Sequence, residues 1–369
     1  MVKVLLRGYY GFGNLGDDVL MLAAYRTVKR IYPESSVTIC ANGSAAAYIP
    51  HLLNEAVPVV TDDSTFQGQL TVFGGGGIFF DFQKGKPKNL AANVIIKTIG
   101  LTAFSRLYAR IKSWRRARGL SSAQTIGIGI GFGTYTSSSR KFLYDAVILG
   151  RLNWLSVRDD DSRKNALRVG VSCPIGVHAD LAFSPSLWEG KLTARQRAIG
   201  VVLRDWPFDS HQHVILIKQI LHEFPEYEFR FFSFDPSHDQ FFIGTFGGNY
   251  TMHRWDAGVT DLLAYSNKLA ECQLLITSRA HGAIIGACLG VPSICLAIEP
   301  KLERVAEMLS ESSMVLSPLL PIAQFKTSIH QFLSTLEHRQ QAVKRDVERN
   351  QRKLDELEMD VRKFIARTK

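Results

Sequence analysis

Arg279 and His281 stand two residues apart in Ser278-Arg279-Ala280-His281-Gly282, directly after the apolar run Leu274-Leu275-Ile276-Thr277. Small and apolar residues follow over 283–289 and suit a buried helix, so the pair falls where a strand passes into a helix. Backbone N–H groups are unpaired at such a junction, and the helix dipole favours an anion there. Arg offers a rigid fork of donors to a carboxylate or phosphate, and His moves a proton near neutral pH. A lone Arg-x-His more often caps a buried turn. Here Ser278 stands before the pair and Gly290-Val291-Pro292 closes the segment, which favours chemistry. Arg204 ends a second apolar run, residues 199–203, with Asp205 its one local acidic neighbour.

Three further groupings are weaker. Gly11-x-Gly13-x-x-Gly16 has dinucleotide spacing, but the acidic residue expected after a second strand is missing, because residues 37–40 lead into Ala41-Asn42-Gly43. Asn14, Asp17 and Asp18 fit two readings equally, hydrogen bonds to sugar hydroxyls or caps of the first helix. Gly74-Gly75-Gly76-Gly77 follows a strand-like run and lets a ligand approach the backbone, without the P-loop pattern. His211-Gln212-His213 lacks a third ligand nearby and reads as surface. The five cysteines have no C-x-x-C spacing, so neither a zinc site nor a disulfide framework is indicated. No metal or cofactor is expected.

The elements that must hold these residues alternate between strand and helix. Residues 2–6, 37–41, 70–73, 125–130 and 154–157 read as strands, several ending in glycine. A second alternation opens at residue 199 and continues through 229–234, 274–277 and 293–297. This predicts an α/β protein with mostly parallel sheets. Doubly wound sheets bind ligands beyond the carboxyl ends of their strands, where all the candidate residues fall. The expected domains are 1–190 (an acceptor side carrying the basic segment), 191–322 (a donor side) and a long C-terminal helix over 323–369. The helix has a narrow apolar seam interrupted at Gln340 and Asn350.

A chain of 369 residues exceeds a single core, and 46% hydrophobic with 21% charged residues describes an ordinary globular composition. There is no run of 18 apolar residues and the first residues read as a strand, so a cytoplasmic protein is expected. The net charge of +10 is concentrated: twelve Lys or Arg and no Asp or Glu lie between Phe82 and Tyr144. Val94, Ile95, Ile96, Ile99 and Trp114 beside Lys97, Arg106, Arg110 and Arg115 make a basic amphipathic pattern. That pattern suits the inner face of an anionic membrane, with a substrate-facing or solvent face the alternative. No nucleic-acid partner is expected, and the oligomeric state stays open.

These motifs, in this order, resemble the polysaccharide pyruvyl transferase family. The resemblance rests on G-x-x-G-x-x-N-x-G-D at residues 8–17, G-G-G-G-x-x-x-D at 74–81 and S-V-R-D-x-x-S at 156–162 with Ala179-Asp180. Leu203-Arg204 and the R-x-H…G-V-P…K segment from Arg279 to Lys301 complete it. Asp18 stands where Glu is common and Ala280 where a larger apolar residue is usual. The resemblance implies a GT-B-like fold of two Rossmann-like domains facing a cleft. It also implies transfer of pyruvate from phosphoenolpyruvate to two hydroxyls of one sugar, in a cell-surface polysaccharide or its lipid-linked precursor. Arg204, Arg279 and Lys301 would then bind the donor, with His281 as general acid beside Arg279. Asn14, Asp17, Gly75 and Gly76 would face the acceptor. The alternatives are a GT-B-type glycosyltransferase using a nucleotide-sugar donor, with Glu299 on the ribose, and a non-catalytic membrane-associated scaffold.

Overall fold

The computed structural model describes residues 1–61, 66–81, 90–101, 103–104, 123–135, 140–189, 194–206 and 210–368. The chain divides into two compact units. The first is Met1–Phe12, Leu20–Leu181 and Lys353–Lys369, and the second is Gly13–Val19 and Ala182–Arg352.

The first unit holds a seven-stranded sheet of β1 (Lys3–Arg7), β2 (Ser36–Cys40), β3 (Val59–Val60), β4 (Leu70–Phe79), β5 (Gln124–Phe132), β6 (Trp154–Val157) and β7 (Ile175–Val177). Every pairing is parallel and the order is β3-β2-β1-β4-β5-β6-β7, so the winding reverses between β1 and β4. Strands buried on both faces read as continuous apolar runs, which is why β1, β4, β5 and β6 were legible from the sequence, whereas the short edge strands β3 and β7 were not.

The four glycines expected as a loop lie instead inside β4. A Cβ on Gly74 would come within 2.5 Å of the Ala24 Cβ and 2.7 Å of the Tyr10 hydroxyl, which hydrogen-bonds the Gly74 carbonyl. Gly75 and Gly76 take φ of +68° and +78°, a conformation that side chains resist, so the strand kinks without leaving the sheet. The S-V-R-D-x-x-S motif is architectural in this unit. Arg158 pairs with the fully buried Asp180 at 2.9 Å, Asp159 caps the Asp160–Arg168 helix, and the Ser162 hydroxyl accepts the Phe132 amide at 2.9 Å.

Of the basic segment, residues 82–89, 102, 105–122 and 136–139 lie outside the described residues, and so do the side chains of Lys97 and Arg140. The Leu90–Ile99 helix within it divides its apolar residues. Ile96, with Leu101 and Phe104 beyond, enters the core, while Val94, Ile95 and Ile99 remain exposed. Among the described residues no helix is long and apolar enough to cross a membrane.

The second unit holds a six-stranded sheet of β8 (Ala198–Val202), β9 (Glu228–Ser233), β10 (Thr251–Arg254), β11 (Leu274–Thr277), β12 (Ser293–Leu296) and β13 (Ser313–Leu316). It is all parallel in the order β10-β9-β8-β11-β12-β13, the same winding with its reversal between β8 and β11. The Ala280–Cys288 helix lies close on β11 because its glycines leave room. A Cβ on Gly282 would stand 2.2 Å from the Thr277 hydroxyl, and one on Gly286 would stand 2.5 Å from Leu275.

The expected C-terminal helix is two helices, Ile322–Ser334 and Leu336–Thr368, parted at Thr335. Asn350, an interruption in the seam, donates to the Met308 carbonyl at 3.1 Å. Asp346 accepts the Ser312 amide at 2.9 Å and its hydroxyl at 2.7 Å. The seam's polar positions therefore fasten the helix to the second unit. Lower down, Trp154 of the first unit stacks on Phe364.

Candidate active site

The reversal of winding between β8 and β11 opens the end of the sheet where doubly wound folds bind ligands, and both flanking strands end there in candidate site residues. β8 delivers Arg204 and β11 delivers Arg279 with His281. Hydrogen bonds fix the two strand ends to each other, because the Arg204 amide donates to the Ser278 hydroxyl at 3.0 Å. The Thr277 hydroxyl accepts the Arg279 amide at 3.0 Å and donates to the Arg279 carbonyl at 2.9 Å, locking the turn into the helix.

Each cation has a buried acidic partner: Asp239, which the sequence did not single out, and Glu299, expected only as a ribose ligand of the alternative reading. Arg279 pairs through Nη2 with Asp239, which is fully buried and also accepts the Ser233 hydroxyl at 2.9 Å. Its Nε donates to the Leu203 carbonyl at 3.3 Å. Burial raises the Asp239 carboxyl above its usual range, opposed by the Arg279 charge. Arg204 donates to Glu299 at 3.0 Å and lies over the Trp206 ring, 4.6 Å from its centroid. Burial pulls the Arg204 guanidinium below its usual value, with Glu299 opposing. Lys301 also meets Glu299, at 2.7 Å, so one carboxylate holds two cations. The Arg204 and Lys301 side chains remain 27% and 31% exposed against 10% for Arg279. Arg204 and Lys301 are thus the more accessible cations, and Arg279 the more buried one.

The expected surface reading of His213 is corrected. It is fully buried, and its Nε2 lies 2.8 Å from the Arg204 carbonyl, holding the strand end from below. Asp205 accepts the Phe241 and Phe242 amides at 2.6 and 2.9 Å and so holds the start of the Gln240–Phe246 helix.

Residues 13–19 of the N-terminal motif cluster with this second unit. The Leu15 amide donates to the Phe234 carbonyl at 2.9 Å, and Asn14 Nδ2 donates to Asp235 at 3.2 Å. Asp18, almost wholly buried, accepts the Trp255 indole N–H at 2.9 Å. Asn14 Oδ1 accepts the Gly16 amide at 2.9 Å, so Asn14 does cap the helix start. A Cβ on Gly16 would fall 2.2 Å from His281 Nδ1, so the last glycine of the motif exists to let the His281 ring lie against it.

Asp17 follows, half-buried, with its carboxyl raised from 3.8 to about 7. Burial is the main cause and Asp18 adds to it, while Lys301 and Arg279 pull the other way and Asp235 raises it further.

The structure therefore brings together Asn14, Asp17, Arg204, Arg279, His281 and Lys301. Gly75 and Gly76 belong to the first unit and are buried within β4, and Gly77 is the exposed member of that run. Sequence reasoning missed Asp239, Glu299 as a shared anchor, and the Asp18–Trp255 pair. The acidic residues of Asp235-Pro236-Ser237-His238-Asp239, directly after a strand, were the available signal for the first. Among the described residues no group of three or more His, Cys, Asp or Glu is placed to hold a metal.

Two parallel sheets of this winding, with Arg, His and Lys at the carboxyl ends of the second, define an α/β protein of GT-B-like architecture. The chain belongs to the polysaccharide pyruvyl transferase family, whose model matches residues 14–300. Among solved structures it is similar to a putative UDP-N-acetylglucosamine 2-epimerase from Listeria monocytogenes (TM-score 0.60, 11% identity, covering 100% of this chain and 98% of that one). It is also similar to HepE of Anabaena in complex with UDP (TM-score 0.59, 10% identity, 100% and 99% covered). A third is the UDP-GlcNAc 2-epimerase of Neisseria meningitidis bound to UDP-GlcNAc (TM-score 0.58, 9% identity, 99% and 100% covered). At these identities the likeness is one of fold. No curated protein sequence matches the chain.

Proposed function

We propose that the protein transfers pyruvate from phosphoenolpyruvate to two hydroxyls of one sugar unit, closing a cyclic ketal and releasing phosphate. The observation that carries this reading is the grouping of Arg204, Lys301 and Arg279, held by Glu299 and Asp239, at the sheet end that also carries His281. The donor's carboxylate and phosphate match a set of cations held by buried carboxylates. The donor takes Arg204 and Lys301 in competition with Glu299, which keeps both side chains oriented before it arrives. A charge-assisted hydrogen bond contributes about 1.5–3 kcal/mol, so loss of Arg204 raises the donor KM at least tenfold. His281, lying on Gly16, protonates the donor's methylene carbon and makes its neighbour electrophilic towards the sugar hydroxyl. The acceptor approaches from the side of Asn14 and Asp17. It is a cell-surface polysaccharide or its lipid-linked precursor, and the basic segment with exposed Val94, Ile95 and Ile99 brings the protein to the membrane that carries it.

The test is phosphate release by the purified chain given phosphoenolpyruvate and glycan extracted from the host envelope. Release needs both substrates, and in His281→Ala it falls roughly 10²–10⁴-fold with the donor KM little changed. Turnover of UDP-GlcNAc with none of phosphoenolpyruvate would replace this reading with glycosyl transfer.

A further inference from the structure

The reaction moves two protons, and one histidine does not account for both. Pyruvyl transfer to a diol takes one proton from each hydroxyl. One proton ends on the methyl carbon and the other on the departing phosphate. A site with His281 alone leaves the first hydroxyl without a base and the phosphate without an acid.

The carboxylates of this candidate site divide sharply by occupation. Asp18 is bonded to Trp255, Asp239 to Arg279 and Ser233, and Glu299 to Arg204 and Lys301. Asp235 accepts from Asn14 and Ser237. Asp17 differs from all of them. Among the described residues its carboxylate enters no hydrogen bond and no ion pair, although it is half-buried. It also directly follows Gly16, on which the His281 ring rests, and consecutive Cα atoms lie only about 3.8 Å apart. A half-buried carboxylate next in the chain to the glycine under His281, within electrostatic reach of Lys301 and Arg279 yet hydrogen-bonded to nothing, is placed for a proton that arrives with substrate.

We propose, resting on the pyruvyl-transfer reading, that Asp17 is the second proton carrier of the site, base to the first hydroxyl and acid to the leaving phosphate. The cycle begins with Asp17 ionised and His281 protonated. Asp17 takes the proton of the first hydroxyl as its oxygen bonds to the donor's C2, and His281 gives its proton to C3, turning methylene into methyl. Protonated Asp17 then passes its proton to the bridging oxygen, and the C2–O bond to phosphate breaks. Neutral His281 takes the proton of the second hydroxyl as that oxygen closes the ring on C2. Both groups return to their starting states, and the phosphate leaves with one proton.

The electrostatics fit a group that must serve in both directions. Asp18 on its own helix, Lys301 and Arg279 at the starts of two others and Asp235 after β9 act on the Asp17 carboxyl, while His281 lies against the neighbouring Gly16. Burial first, then these charges, place the carboxyl at about 7.

The test uses the full chain with phosphoenolpyruvate and the envelope glycan. In the wild type, kcat/KM rises with pH through about 7 as Asp17 ionises. Asp17→Asn loses that rising limb and roughly 10²–10⁴-fold in kcat, with the donor KM changed less than about threefold. Asp17→Glu keeps a rising limb at reduced kcat. A folded Asp17→Asn protein with normal kcat and the wild-type profile overturns the assignment and leaves pyruvyl transfer standing. A second measurement needs no turnover: 13C NMR of protein labelled at Asp carboxyls, the Asp17 signal identified by its loss in either variant. A midpoint near 7 is expected, and a midpoint near 4 overturns the proposal. If the wild type never consumes phosphoenolpyruvate, the reaction reading fails separately.

Discussion

Arg279 shows why a candidate residue in this site is hard to test by simple deletion. It is paired with a fully buried aspartate, so Arg279→Ala removes the proposed donor contact and also strands the Asp239 charge. Breaking such a pair costs about 3–5 kcal/mol. Arg279→Ala is therefore expected to lower the melting temperature severely. The double change Arg279→Ala/Asp239→Asn recovers much of that loss without recovering turnover. Thermal melts and phosphate release on the same two proteins check this, and recovery of activity in the double variant would remove Arg279 from donor binding. Asp17 makes the opposite prediction for stability. Its carboxyl is raised from 3.8 to about 7 on folding, so the folded state disfavours the charge. The cost is absent below about pH 4, grows as pH rises and is complete above about 7. A full shift of this size is worth about 4 kcal/mol, and with the carboxyl still partly wetted about 2 kcal/mol remains. Asp17→Asn should then be more stable than the wild type at pH 8 and nearly equal to it at pH 4. Equal melting curves at pH 8 would contradict the burial of that charge.

Among the elements, the helix starts carry the candidate site residues and their glycines are the exacting positions. Gly16→Ala places a Cβ 2.2 Å from His281 Nδ1, so the ring must move. Overpacking of this kind costs about 1–3 kcal/mol, and a displacement of about 1 Å at a reacting group can cost 10²-fold in rate. The expected result is a folded protein with turnover down at least tenfold and donor KM nearly intact, and unchanged kcat would contradict the contact. Strand ends and Arg-x-His spacing were legible because a strand buried on both faces leaves an apolar run that stops at its polar end. The glycines of β4 were not legible as strand, since glycine signals a turn by default. The close approach of Ala24 and Tyr10 explains Gly74 there, and positive φ explains Gly75 and Gly76. Asp239 and Glu299 were illegible as partners because their contacts span 40 and 95 positions of sequence. His213 was misread for a related reason, as a polar neighbourhood in sequence says nothing about a carbonyl waiting beneath it.

For the molecule as a whole, two sheets wound alike place the candidate donor residues on the second unit, together with a short piece of the N-terminal motif. The alternation of strands and helices made this class legible. The transfer of residues 13–19 to the second unit was not, because it depends on backbone and side-chain bonds to Phe234, Asp235 and Trp255. The uneven charge belongs to this scale too. Twelve basic and no acidic residues between Phe82 and Tyr144 predict co-sedimentation with vesicles of anionic lipid at low salt, lost at high salt. Failure to sediment at low salt would leave that segment facing substrate or solvent. Pyruvyl transfer is tested on its product. Incubating the chain with phosphoenolpyruvate labelled with 13C at C2 and with the envelope glycan, then recording NMR of the glycan, locates the labelled carbon. The expected result is a ketal carbon bonded to two oxygens of one sugar, bearing a methyl and a carboxylate. An unlabelled glycan, with the donor unconsumed or merely hydrolysed, would contradict it.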